Sequence, residues 1–174
     1  MNQIGMPLIY ANNKVVNPCV NGQPIKSKCL VFSEKTCVTT IGSGLIIGKD
    51  IIDIISRKYQ NTFDDRFLLY GVDTTFCYRL QECHLYKHIV ICSGFEHSLS
   101  RLEKEESTIK HFRRKERSID IGLRIKFYYK KTTWPKHILL LLLSNLKKRI
   151  LRKKQEYYFI KILKTIIKGK HERL

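Results

Sequence analysis

Three aspartates stand around an aromatic and apolar run in "DDRFLLYGVDTTFCYRL", residues 64–80. Asp73 follows a Gly-Val step and precedes two threonines. A carboxylate so placed can do one of two things. It can cap or favour the start of a helix, because its oxygens accept free backbone N–H groups and answer the helix dipole. It can also act as a general base, taking the proton from an attacking hydroxyl held within hydrogen-bond reach. "GSGLI", residues 42–46, offers a tight turn of Gly42, Ser43 and Gly44, whose small side chains would let a ligand approach the backbone. No GK[ST] follows it, so it is not a phosphate-binding P-loop. His97, in "FEHSLS", is an ordinary histidine, a phosphate contact or a metal ligand. Cys83 and His84 are adjacent, but none of the six cysteines forms a CxxC pair, which leaves little basis for a zinc site. The cysteines read as reduced, structural thiols.

The elements that must carry these residues follow from pattern. "MPLIYANN" and "CLVFSEKTCVTTI" read as strands, with turns at Asn12-Asn13 and in "NGQP". "KDIIDIISRKY" spaces Ile51, Ile52, Ile54 and Ile55 as a helix does. "TFCYRLQEC" predicts a second helix with Asp73 near its N-terminus. "HIVIC", residues 88–92, has the branched alternation of a strand. From Ser98 onward the pattern predicts helices: first in pieces, then one or two after Pro135.

The chain has 174 residues and 43% hydrophobic content, enough for a globular domain with a core. Its net charge of +18 is unevenly spread. Residues 1–100 hold ten Lys/Arg against eight Asp/Glu, and residues 101–174 hold twenty-three against seven. The first residues lack the basic-then-apolar order of a secretory signal, and the longest apolar run, "ILLLLL", is far too short to span a bilayer. The expectation is an intracellular protein. The basic tail could be a solvated helix face, a nucleic-acid arm or a helix lying on an anionic membrane. The interleaving in "LKKRILRKK" and "FIKILKTIIKGK" favours the membrane, through residues 130–170, with no nucleic acid expected.

Taken in order, these pieces resemble the C-terminal half of the catalytic domain of family 2 glycosyltransferases, and within them the rhamnosyltransferase-like members. Phe63, Asp64, Phe67, Val72, Asp73, Phe76, Cys77, Arg79 and Leu80 carry the likeness, which covers most of residues 35–130. It implies an α/β fold: a partial GT-A domain, a Rossmann-like mixed sheet, over 1–98, and a basic amphipathic helical extension over 99–174. It implies that Asp73 is the catalytic base of an inverting transfer from a nucleotide-sugar to a glycan or lipid-linked acceptor in cell-surface polysaccharide synthesis. Gly42, Ser43, Gly44, Asp64 and Arg79 would bind the acceptor, and His97 would touch the metal or diphosphate. It also implies Mg²⁺ or Mn²⁺, and a place at the inner face of the cell membrane. Two departures stand out. Thr75 occupies a position where the family often has a second acid. The Asp-x-Asp pair that holds the cation does not occur in these residues. The resemblance is therefore to a truncated enzyme, inactive alone. The alternative is a basic membrane- or nucleic-acid-binding module with no catalysis.

Overall fold

The computed structural model describes residues 2–25, 32–98 and 106–174. They form a mixed α/β structure of two compact units: Met1–Asp64 with Val72–Glu103, and Asp65–Gly71 with Lys104–Leu174. The expected boundary at residue 98 adjoins 99–105, which lie outside the described residues. Sequence alone did not suggest that residues 65–71, the middle of the aspartate-bearing stretch, group with the helical unit.

The first unit is built on β1, Ile4–Ala11, whose residues are almost all buried. The chain reverses through Asn12 and Asn13, both at positive φ, and returns as β2, Lys14–Asn17, antiparallel to β1. Paired positive φ values suit a two-residue hairpin, because that turn's twist matches the strands it joins. Asn21-Gly22 does the same between β3, Cys19–Val20, and β4, Gln23–Pro24. A third short strand, β5, Val38–Thr39, completes this small sheet against β3.

In the larger sheet, β6, Ile46–Ile47, pairs antiparallel with the start of β1, and β7, Ile89–Glu96, runs parallel to β1 along most of its length. The strand expected at 88–92 thus continues four residues further, to Glu96. Helix α1, Lys49–Tyr59, buries Ile51 and Ile55, one turn apart. Helix α2, Val72–Glu82, buries Phe76, Cys77 and Leu80. These side chains, with Ile4, Met6, Leu8, Ile89 and Ile91 from the sheet, make the core of the first unit.

The second unit is helical. Its spine is α3, Ser107–Tyr128, one continuous helix of 22 residues where separate pieces were expected. Two helices follow, α4, Trp134–Ile150, and α5, Phe159–Lys168. Gly122 lets α5 come close to α3: a Cβ there would lie 2.7 Å from Thr165 Cβ and 2.9 Å from the Ile162 carbonyl oxygen. Ser118 Oγ accepts the Tyr158 backbone N–H at 2.8 Å, satisfying a donor at the start of α5. The core here is Ile125, Tyr157, Ile162 and Ile166, with Trp134, Ile138 and Leu141 of α4 packed on it. The C-terminus folds back onto α3. His171 and Arg173 both bond the buried Glu116 carboxylate, at 3.1 and 2.7 Å. The Glu172 carboxylate bridges Lys115 and Lys161.

Among the described residues no helix is long and apolar enough to cross a membrane.

Candidate active site

The turn at Gly42–Gly44 is closed by a hydrogen bond from the Leu45 N–H to the Gly42 carbonyl at 3.2 Å. Gly44 needs its glycine twice over. Its φ is +72°, and a Cβ would sit 2.8 Å from Phe95 Cε1 and 3.1 Å from Pro7 Cγ. The turn therefore lies against the middle of β1 and the C-terminal end of β7.

Asp73 is the second residue of α2, inside the first turn and not at the cap position before it. Its half-buried carboxylate answers the helix dipole there. Among the described residues, however, it makes no hydrogen bond or ion pair. It faces the glycine turn: a Cβ on Gly42 would lie 2.7 Å from Asp73 Oδ1 and 3.4 Å from its carboxyl carbon. The glycine at 42 lets the turn backbone approach this carboxylate closely, and a larger side chain would collide with it.

On the other side of the turn, Ser43 Oγ lies 2.8 Å from His97 Nε2. His97 is set by its surroundings. Its backbone N–H donates to the Tyr10 carbonyl at 2.9 Å, its ring stacks on Phe95, and its Nδ1 donates to the Ser98 carbonyl at 2.9 Å. With the proton on Nδ1, Nε2 of the neutral ring accepts the Ser43 hydroxyl. The Ser43 oxygen keeps its lone pairs for a ligand donor. Asp73 and the Ser43–His97 pair thus flank one short turn, an acceptor carboxylate on one side and a polarised hydroxyl on the other. Such an arrangement can orient a polyhydroxylated ligand and take a proton from it.

Cys77, one turn beyond Asp73, is not a nucleophile here. Burial pushes its thiol up to about 12, the nearby Asp73 charge adds to that, and a hydrogen bond to the Thr40 backbone opposes it.

Asp64 and Arg79 belong to a different place in the unit. Expected to contact an acceptor, they are instead only 1% and 4% exposed. Arg79 Nη2 lies 3.4 Å from Asp64 Oδ2, its Nη1 donates to the Asn61 carbonyl at 2.6 Å, and its guanidinium stacks over the Tyr59 ring. Both groups are buried, and their pairing ties the segment ending at Asp64 to α2.

Both His97 ring nitrogens are engaged, and no Asp-x-Asp occurs in the chain. His84, beside Cys83, faces Glu34 at 3.1 Å. Among the described residues, no group of three or more His, Cys, Asp or Glu side chains could hold a metal ion. Mg²⁺ and Mn²⁺ require several oxygen ligands at once. The described residues do not supply that set.

Sequence reasoning singled out Asp73, the 42–44 turn and His97 separately. It missed that Ser43 and His97, 54 positions apart, bond to each other, and that Gly42 abuts Asp73. It also missed Phe95, which supports both Gly44 and His97. No local signal encodes these contacts, since they arise only when the turn and the end of β7 are brought together. Compared with protein-family models, with curated protein sequences and with solved structures, the chain matches none of them.

Proposed function

We propose that the first unit is the acceptor side of an inverting glycosyltransferase of the family 2 kind, with a GT-A type of sheet and Asp73 as its base. The observation that supports this reading is the half-buried carboxylate of Asp73 facing the Gly42–Gly44 turn, with Ser43 held by His97. In the reaction, an acceptor sugar hydroxyl seated over the turn gives its proton to Asp73. Its oxygen attacks the anomeric carbon of a nucleotide-sugar from the face opposite the leaving group. The new C–O bond forms as the bond to the diphosphate breaks, the nucleoside diphosphate departs with that electron pair, and the configuration inverts. Ser43 accepts a hydrogen bond from a second acceptor hydroxyl and fixes its orientation. Asp64 and Arg79 hold the scaffold. The donor, its diphosphate and any divalent cation would be held by polypeptide other than these residues.

The test begins with acceptor binding. Amide spectra of the full chain are recorded with a panel of short glycans. Shifts concentrated at residues 42–44, 73 and 95–97, and lost in Gly42→Val, are expected. Asp73→Asn should then remove transfer in a reaction supplied with the donor-binding portion, while leaving the glycan-induced shifts in place. Retained transfer by Asp73→Asn, or no glycan response at the turn, refutes the assignment. A chain in which Asp73 serves only the helix dipole behaves differently: Asp73→Asn costs about 0.3–1 kcal/mol of stability and no glycan perturbs the turn.

A further inference from the structure

Helix α4 has two opposed apolar faces. Trp134, Ile138 and Leu141 turn inward onto the second unit's core, and Tyr157 Oη donates to the Leu141 carbonyl at 3.0 Å. At about 100° per residue, Leu139, Leu143, Leu146 and Ile150 fall on one stripe roughly opposite that inner face. They are 54%, 52%, 44% and 79% exposed, and no residue of α4 is buried. The same rotation puts exposed Lys136 and Lys147 along one edge of the stripe and exposed Arg149 along the other. Arg152, Lys153 and Lys154, all exposed, follow directly, and α4 itself contains no carboxylate.

We infer that this outer face of α4 lies on a bilayer surface containing anionic lipid. The four aliphatic side chains enter the headgroup–acyl boundary, and the cations at both edges meet lipid phosphates. The charge pattern selects this occupant. Two copies meeting through the stripe would oppose cationic edges on chains that each carry +18. Nucleic acid gains from aromatic stacking, and the stripe is wholly aliphatic. The helix lies along the surface, since no described helix is long and apolar enough to cross it. The sequence expectation covered residues 130–170 without choosing between helices. Within that range, the "FIKILKTIIK" stretch of α5 commits Ile162 and Ile166 to the core, leaving Ile160 and Ile167 outside. This inference goes beyond glycosyl transfer and does not rest on it.

The test is co-sedimentation of the full chain with phosphatidylcholine vesicles, with and without phosphatidylglycerol. Binding to the phosphatidylglycerol vesicles is expected, weakening as salt is raised. Leu143→Gln/Ile150→Gln should weaken it by roughly tenfold per side chain removed. Lys147→Gln/Arg149→Gln should weaken it by about fivefold per charge on anionic vesicles only. A second measurement uses Leu143→Trp: its emission should shift to the blue and be quenched by brominated lipid. The native Trp134, turned inward with Nε1 donating to the Tyr129 carbonyl, should not respond. The inference is overturned by absent binding to anionic vesicles, by binding that the leucine substitutions leave unchanged, or by an unshielded Leu143→Trp signal. Salt-sensitive binding to RNA that excludes vesicles, or self-association abolished by Leu143→Gln/Ile150→Gln without lipid binding, overturns it equally.

Discussion

Arg79→Met separates a structural role for the Asp64–Arg79 pair from a ligand-binding one. The substitution keeps most of the aliphatic volume and removes the guanidinium. It breaks the 2.6 Å bond to the Asn61 carbonyl, the stacking on Tyr59 and the 3.4 Å approach to Asp64. The bond to a charged donor is worth about 1.5–3 kcal/mol. Asp64, which is 1% exposed, loses the guanidinium 3.4 Å away. Breaking one side of a buried pair costs about 3–5 kcal/mol, most of it from the charge left behind. A solvent-screened pair would lose only about 0–1 kcal/mol. Against a domain stability of about 5–15 kcal/mol, the difference is easily read. The assay is native-state hydrogen exchange of the α1 and α2 amides under rising urea, which reports the first unit alone. Asp64→Asn and the double variant complete a cycle. Removing the buried carboxylate charge should recover part of the loss, giving a coupling of about 1–3 kcal/mol. A single-variant cost below about 1 kcal/mol, or strictly additive effects, would falsify the buried-pair argument and return both residues to the candidates for ligand contact.

Gly122→Ala in α3 sets helix propensity against packing. Propensity alone favours alanine by about 0.8–1 kcal/mol. The new methyl would lie 2.7 Å from Thr165 Cβ and 2.9 Å from the Ile162 carbonyl, neither of which can swing aside. Overpacking costs about 1–3 kcal/mol, so we expect a net loss and a lower urea midpoint by Trp134 fluorescence; a raised midpoint contradicts the close approach of α5. The Glu172 carboxyl is held down at about 2, from an ordinary 4.5, by hydrogen bonds from Lys115 and then Lys161. A lowered carboxyl stabilises the fold above its unfolded value, and the contribution disappears as pH falls from 4.5 toward about 2. Glu172 is partly solvent-exposed, so solvent screening keeps the effect below about 1 kcal/mol. The stability gap between the native chain and Glu172→Gln should close over that acid range, and a gap independent of pH argues against the bridge.

Local pattern alone was enough for several features. Asn12-Asn13 and Asn21-Gly22 announced their hairpins because few other residues tolerate paired positive φ values. Ile51, Ile52, Ile54 and Ile55 announced the helix α1, and packing then chose Ile51 and Ile55 as its buried face while Ile52 and Ile54 stayed exposed. The asymmetric charge was likewise legible, since it is a count. Asp73 could be picked out as a carboxylate at a helix start, though not what it faced. The tertiary structure decided the rest. The sequence treats Asp64, Arg79 and Asp73 alike, as charged groups in one short stretch. Packing then buries two of them together and turns the third toward Gly42. The continuous run from Ile138 to Leu143 has no periodicity of its own, and only the packing of the partly buried Ile138 and Leu141 against the core assigns Leu139 and Leu143 to the outside. In both cases the deciding energy is desolvation against partners distant in the chain, which local spacing does not contain.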